Sequence, residues 1–333
     1  MKIGRFLISL LSLTLVLSML CACNNDKTDS EETADTYYTV TFNSNGGTPI
    51  EPKKVKKNAQ LDEPPTPERE GYIFEGWYNK NQQWVFSFGI TEDMTLDARW
   101  LSPESLFDHT PSEDGETTVI TNLKRKTEEI RLPTVMGGYH VTGIGEEVFA
   151  NISGEEVYKI ILPESITHIE EKAFYNCTDV EISVEGELSY IGEKAFYGCN
   201  LLTSVKLGAI EAIAPEAFTS SGLVSISLPD SVKLIDENAF DNCLSLKTVF
   251  MHDSIESIGD SAFYDTGIVT VFFFGSDETV YELIENRTEN RNNAIKDAKI
   301  YIYSEASPTE ETEFDGFFYF DENGKTRIWR TEE

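Results

Sequence analysis

Ile166-Thr167-His168-Ile169-Glu170-Glu171-Lys172-Ala173-Phe174 is one copy of a phrase that the chain writes six times. The others are V-T-G-I-G-E-E-V-F (141–149), L-S-Y-I-G-E-K-A-F (188–196), I-E-A-I-A-P-E-A-F (210–218), V-K-L-I-D-E-N-A-F (232–240) and I-E-S-I-G-D-S-A-F (255–263). Each reads apolar, two residues, Ile, four residues, Phe. The closing aromatics are Phe149, Phe174, Phe196, Phe218, Phe240 and Phe263, at steps of 25, 22, 22, 22 and 23 residues. A period in the 20s marks a solenoid, because a unit this short hides its apolar face only against a neighbour of the same kind.

A second pattern, of period two, lies between the phrases. Its apolar pairs are Ile130/Leu132, Ile160/Leu162, Ile182/Val184, Val205/Leu207, Ile226/Leu228, Val249/Met251, Val271/Phe273 and Ile300/Ile302. Each pair predicts a short strand with two side chains inward. Eight such strands stacked in parallel at about 4.8 Å form one ladder. The E-K-A-F-type segments predict roughly one helical turn per coil, with the Phe side chains stacked as the second wall of the core. The fold class expected is mainly β with short helical turns, a solenoid of short repeats preceded by a small β module.

Side chains alternating with the inward pairs point out of the sheet. In order they are Arg131, Ile161, Ser183, Lys206, Ser227, Phe250, Phe272 and Tyr301, with Phe274 and Tyr303 extending the last two rungs. The row is polar in its middle and aromatic at its C-terminal end. An exposed aromatic cluster is a partner site by default, so Phe250, Phe272, Phe274, Tyr301 and Tyr303 are the candidate binding residues. The competing reading is that the C-terminal tail, Phe317 to Trp329, covers them, since the last coil needs a cap.

The repeats resemble the BspA-like leucine-rich repeat family. The stretches that carry the resemblance are L-P-E-S-I-T-H-I-E-E-K-A-F-Y-N-C (162–177), L-P-D-S-V-K-L-I-D-E-N-A-F-D-N-C (228–243) and L-P-T-V-M-G-G-Y-H-V-T-G-I-G (132–145). The resemblance implies a surface protein that binds other macromolecules, often in adhesion, with no shared catalytic residue.

Upstream, Tyr38-Thr39-Val40-Thr41-Phe42 alternates as a strand, and Asn43-Ser44-Asn45-Gly46-Gly47 supplies turn residues. Residues 37–100 resemble the internalin B-repeat, or Listeria–Bacteroides repeat, family through V-T-F-N-S-N-G-G (40–47), P-x-P-x-R-x-G-Y-x-F-x-G-W-Y (65–78) and M-T-L-x-A-x-W (94–100). That resemblance implies a compact β-grasp-like fold found on bacterial surface proteins, often as a stalk. Trp77, Tyr78 and Trp84 are read either as core or as a sugar-stacking platform; aromatic dominance of small cores favours the former.

At the start of the chain, Lys2 and Arg5 precede an apolar run from Phe6 to Leu20, the pattern of a secretory signal. Leu20-Cys21-Ala22-Cys23 resembles a bacterial lipobox, which implies a lipoprotein signal peptide over 1–22, lipidation of Cys23 and a membrane anchor; Cys21 is the alternative acceptor and an ordinary cleaved signal the alternative reading. Residues 23–36 are too polar to order themselves and predict a disordered spacer. Residues 101–117 read as a linker with Ser102-Pro103, Pro111 and Asp114-Gly115. Residues 118–303 then form the solenoid, whose first coil Thr117–Thr121 covers as a strand. Asp277 to Asp297 reads as a polar insertion forming a short helix and turn, and 304–333 as a C-terminal capping hairpin with an Asn-Gly turn.

The formal charge of −31 disfavours nucleic acid and anionic lipid surfaces as partners. Cys177, Cys199 and Cys243 each follow a repeat Phe by three residues. They share one column, expected as buried free thiols; a 177–199 disulfide is the other option, made awkward by parallel Cβ vectors. His109, His140, His168 and His252 have no metal-ligand spacing, and no phosphate loop, nucleophile elbow or HExxH occurs. No cofactor, no metal and no enzyme activity is expected. A glycan hydrolase would require two carboxylates about 5–9.5 Å apart in a groove. The function expected is that of an exported, lipid-anchored surface protein gripping a protein or glycan, with a ligand-free envelope spacer as the alternative.

Overall fold

The computed structural model describes residues 35–329 except 287, 289, 290, 306, 307, 309–311 and 313. The expected signal peptide, Cys23 and the spacer as far as Ala34 lie outside the described residues.

The N-terminal module is a five-stranded sheet in the order Lys53–Lys56, Tyr37–Asn43, Met94–Leu101, Ile73–Asn79, Gln82–Gln83. The first and last long strands of the module pair in parallel at its centre, so the sheet joins the two ends of this segment. One face buries Val40, Phe42, Trp77, Ile90 and Leu96. Trp77 meets Phe42 edge-on at 5.0 Å and Phe74 at 5.5 Å, the arrangement that aromatic quadrupoles favour. Trp100 packs on the Gly-Gly turn, where a Cβ on Gly47 would lie 2.4 Å from its ring, and its indole N–H donates to Ser44 O. Trp77 and Tyr78 are therefore core; Trp84 is half-buried.

The solenoid has two hydrogen-bonded walls around one interior. Along the first, Glu129–Arg131, Lys159–Leu162 and Glu181–Val184 form a parallel ladder, and Ser225–Ser227, Thr248–His252, Thr270–Phe274 and Lys299–Tyr303 form another. Along the second, the E-K-A-F segments are not helical. They are tandem turns, as in Ala173 N–H to Glu170 O and Tyr175 N–H to Lys172 O. The residue before the Ala, from Lys172 through Lys194, Glu216 and Asn238 to Ser261, takes a positive φ of 53–58°. That kink frees alternate N–H groups to bond the following coil, as Lys172 does to Glu193 O, Phe174 to Ala195 O and Asn176 to Tyr197 O. A helix would have consumed those donors internally.

Six phenyl rings stack through the interior: Phe149, Phe174, Phe196, Phe218, Phe240 and Phe263, at centroid spacings of 5.1, 5.3, 5.6, 5.4 and 5.1 Å and interplanar angles of 4–8°. All are fully buried. Cys177, Cys199 and Cys243 are free and buried beside them. Each thiol donates to a Phe carbonyl of an earlier coil, Cys177 to Phe149 O, Cys199 to Phe174 O and Cys243 to Phe218 O, at 3.0–3.1 Å.

The expected single ladder of eight strands breaks on both sides of its fourth rung. Lys206–Leu207 pairs with Glu187–Leu188 instead of with Glu181–Val184. The cause is a frame conflict of one residue. Ile160, Ile182, Ile226 and Val249 each stand 14 residues before the next stacked Phe, at 174, 196, 240 and 263, whereas Val205 stands 13 before Phe218. Coil register thus calls for Ser204 and Lys206 at the inward positions. A one-residue slip exchanges the two faces of a strand, and burying an ammonium is costly. The chain keeps Val205 and Leu207 half-buried and gives up the rung.

Both ends of the interior are covered. Residues 101–117, read as a joint, carry a short helix, Pro103–Leu106, and a strand, Phe107–Pro111. Phe107 meets Phe149 edge-on at 6.3 Å and closes the stack. Thr117–Leu123 pairs in parallel with Tyr139–Ile144, supplying the entering strand. At the other end the segment read as a polar insertion is a lid: helices Asp277–Asn286 and Asn293–Lys296 bury Val280, Leu283 and Ile295 on the last coil.

Candidate interaction face

The outward side of the strand wall divides into three zones. In the first, Arg131 forks onto Glu185 at 2.8 and 3.1 Å. The two residues belong to the outer rungs of a three-stranded sheet, so their bridge spans the middle strand, whose outward residue Ile161 is buried. The second zone is the interruption, with Ser183, Lys206 and Ser227 and a shallow groove. The third is aromatic.

In the aromatic zone the register sets Phe250 beside Phe272 and Phe272 beside Tyr301, with centroids 4.9 and 5.8 Å apart. One step outward, His252 stacks on Phe274 at 4.4 Å and 9°, and Phe274 meets Tyr303 at 5.1 Å. Sequence reasoning did not place His252 in this row. The signal was present, since it stands two residues beyond Phe250 in the same strand. Burial pushes the His252 pKa down, opposed by the nearby carboxylates of Asp230 and Asp253.

The terminal hairpin, Gly316–Phe320 with Thr326–Ile328, adds to this sheet and bends across it. Gly316 takes φ +136°, which only glycine adopts freely. Phe318 is fully buried, with centroids 4.9 Å from Phe272, 5.3 Å from Phe274, 5.4 Å from Tyr303 and 6.4 Å from Phe250. Phe250, Phe272, Phe274, Tyr301 and Tyr303 each remain half-buried, while Phe320 is 41% exposed at the rim. Trp329 secures the hairpin, donating its indole N–H to Ser304 O and stacking on Tyr319 at 4.2 Å.

Among the described residues no three His, Cys, Asp or Glu side chains gather to hold a metal ion. His109 bonds Thr118 Oγ1 and His168 bonds Thr167 Oγ1, both at 2.8 Å. Burial pushes the Cys243 thiol up to about 11 and Cys199 well above its ordinary range.

Short parallel rungs, one stacked Phe per coil and a closed lid at each end define a leucine-rich-repeat solenoid carrying a small β module. Comparison with known families agrees. The chain is a BspA-type leucine-rich repeat protein: six copies of the BspA type leucine rich repeat region match over residues 125–223 and 174–287, and the Listeria-Bacteroides repeat domain matches residues 38–99. Two proteins of Evansella cellulosilytica, described as a putative Gly-rich membrane protein and a putative membrane protein, are each 39% identical over 67 residues. Those matches cover 19% of this chain and only 8% and 10% of the relatives. Among solved structures, a leucine-rich repeat protein of T. pallidum is similar at 22% identity and TM-score 0.47, over 56% of this chain and 97% of that one. A leucine-rich cell-surface protein of Faecalibacterium prausnitzii is similar at 22% identity and TM-score 0.41, over 68% of this chain and 60% of that one. The repeat family suggests a protein-interaction or adhesion-type role.

Proposed function

We propose that this chain is a non-catalytic adhesion-type protein, exported, held at the bacterial surface by lipid on Cys23, and binding a protein or glycan through the aromatic end of its strand face. The observation that carries the reading is the row Phe250, Phe272, Phe274, Tyr301 and Tyr303, five rings on adjacent rungs that stay half-open to solvent. Rigid aromatic side chains present large contact area at little entropic cost, which is why such clusters become binding hot spots. The repeat family and the membrane-protein descriptions of the partial relatives support a surface setting.

One observation favours a second reading, an envelope spacer without a specific ligand. Phe318 sits in the middle of the aromatic row and accounts for much of it as capping surface. Phe320→Ser and the double change Phe272→Ser/Phe274→Ser separate the two in cells displaying the protein. Loss of adherence with an unchanged far-UV spectrum supports binding; retained adherence with retained folding supports the spacer. Cys23→Ser is expected to abolish fatty-acid labelling and membrane retention.

A further inference from the structure

Along the column that leads into the strands, successive coils are joined by backbone hydrogen bonds. Tyr158 N–H donates to Glu128 O and Glu181 N–H to Tyr158 O; later Val224 N–H donates to Thr203 O, Lys247 to Val224 O and Val269 to Lys247 O. The bond between Thr203 and the Glu181 coil is the missing member. At the far end of the same strand Glu185 N–H donates to Leu162 O, whereas Gly208 N–H goes to Leu188 O. Residues 203–207 therefore stand off from Glu181–Val184, whose one partner strand is Lys159–Leu162.

The consequence is a free strand edge inside a solenoid. Glu181 and Glu185 aim their N–H groups at the preceding coil. Strand alternation then turns the N–H and C=O of Ile182 and Val184 the other way, into the gap. A groove of about 380 Å³ opens there, with Leu201, Thr203 and Ser204 on its far wall.

We propose that this notch docks an extended peptide segment of a partner protein, which pairs as a strand with Ile182 and Val184 and carries Lys or Arg. Two donors and two acceptors alternating along one edge are the complement of a β-strand, the recognition mode of strand addition. The preference for basic segments follows from charge. The chain carries −31 formally. Glu181 and Glu185 are already matched by Lys159 and Arg131, and Glu187 stands opposite Lys206 in the next strand, so the preference rests on the long-range field of the acidic chain. Exposed edges invite pairing with any chain; this one is short and faces Leu201, Thr203 and Ser204 of the next coil across the groove, so it suits one extended segment rather than the long sheet edge of a second folded copy. The proposal is independent of the aromatic end.

The test pans a displayed library of random heptapeptides on the full chain, with Val184→Pro as counter-selection. Proline at 184 removes an N–H that no coil uses and leaves the Glu181 and Glu185 bonds in place. Ser204→Trp, which fills the groove from its far wall, is the second variant. Basic, extended heptapeptides are expected to bind the native chain, to bind both variants at least tenfold more weakly, and to bind Phe272→Ser/Phe274→Ser unchanged. In the free chain the Ile182 and Val184 amides should exchange with solvent much faster than those of Ser183 and Glu185, and slow down in the complex. The proposal is overturned if those two amides are already protected in the free chain, if no heptapeptide is retained, or if retained peptides are acidic or bind the variants equally.

Discussion

The side-chain amide of Asn292 ends the coil ladder at Phe263. Its Oδ1 accepts the Phe263 N–H at 2.8 Å, and its Nδ2 donates to Gly259 O at 2.9 Å. In the interior coils the Phe N–H is taken by the Ala carbonyl of the next coil, as Phe240 N–H is by Ala262 O. Asn292, almost wholly buried, thus stands in for a coil that does not exist. Asn292→Ala leaves the buried Phe263 N–H without this acceptor, whereas Gly259 O keeps the Ala262 N–H. The variant should lose about 1–3 kcal/mol in denaturant unfolding, the cost of one unsatisfied buried group. Its Phe263 amide should exchange faster while that of Phe174 is unchanged; equal exchange at both would refute a capping role.

The phenyl stack makes a second prediction. Phe196 has ring neighbours on both sides, at 5.3 and 5.6 Å, so Phe196→Ala opens a cavity in mid-column and should cost about 3–5 kcal/mol. Phe196→Leu keeps most of the volume and should cost under about 1.5 kcal/mol. Solenoid stability is a sum of repeats and the interfaces between neighbours. The Ala variant should therefore unfold in two steps by circular dichroism, where the native chain unfolds in one. A single sharp transition for both would show that the halves are coupled by more than this column.

How much of this was readable in advance depends on what repeats. The Ile and Phe columns were legible because each coil buries the same positions at a nearly constant period. The interruption at Val205 was not, because two deviations cancel. Phe196 to Val205 is 9 residues where Phe174 to Ile182 is 8, and Val205 to Phe218 is 13 where Ile182 to Phe196 is 14. The Phe-to-Phe step stays at 22 and hides the shift. The helix of the lid was expected, but not its place over the last coil, because Val280, Leu283 and Ile295 are isolated apolar residues in a polar stretch and repeat nothing. The aromatic zone was legible as a row, and cover by the tail from Phe317 to Trp329 was one of its two readings; that Phe318 is the ring that enters was not legible, since it depends on a bend at Gly316.

The thiol column makes a third prediction. Cys243 is pushed up to about 11 and Cys199 well above the usual thiol range, in both cases chiefly by burial. A raised folded pKa means that the native state holds its proton where the unfolded chain has released it. The stability contribution is whole below the unfolded value of about 8.5 and is lost as pH climbs toward 11. Iodoacetamide at pH 8 should leave Cys177, Cys199 and Cys243 unmodified until denaturant is added. Melting temperature should fall between pH 9 and 11, and fall less in Cys243→Ala. Rapid native alkylation of Cys243 would contradict the buried placement.

The last prediction concerns His252, stacked on Phe274 and held below its ordinary pKa by burial. A depressed histidine pKa means that the unfolded chain takes up a proton more readily than the native one. Stability is then full above the unfolded value of about 6.5 and declines as pH falls toward the folded value. The native chain should melt at a lower temperature at pH 5 than at pH 7, and His252→Phe, which keeps the stacked ring, should lose part of that difference. Because Phe318 lies 5.3 Å from Phe274, charging the imidazole places a cation at the edge of the capped aromatic zone. Acid should therefore loosen the hairpin before the solenoid, read as faster amide exchange at Phe318 with no change at Phe218. If both sites respond together, or if His252→Phe retains the whole acid sensitivity, the titrating group lies elsewhere among the carboxylates.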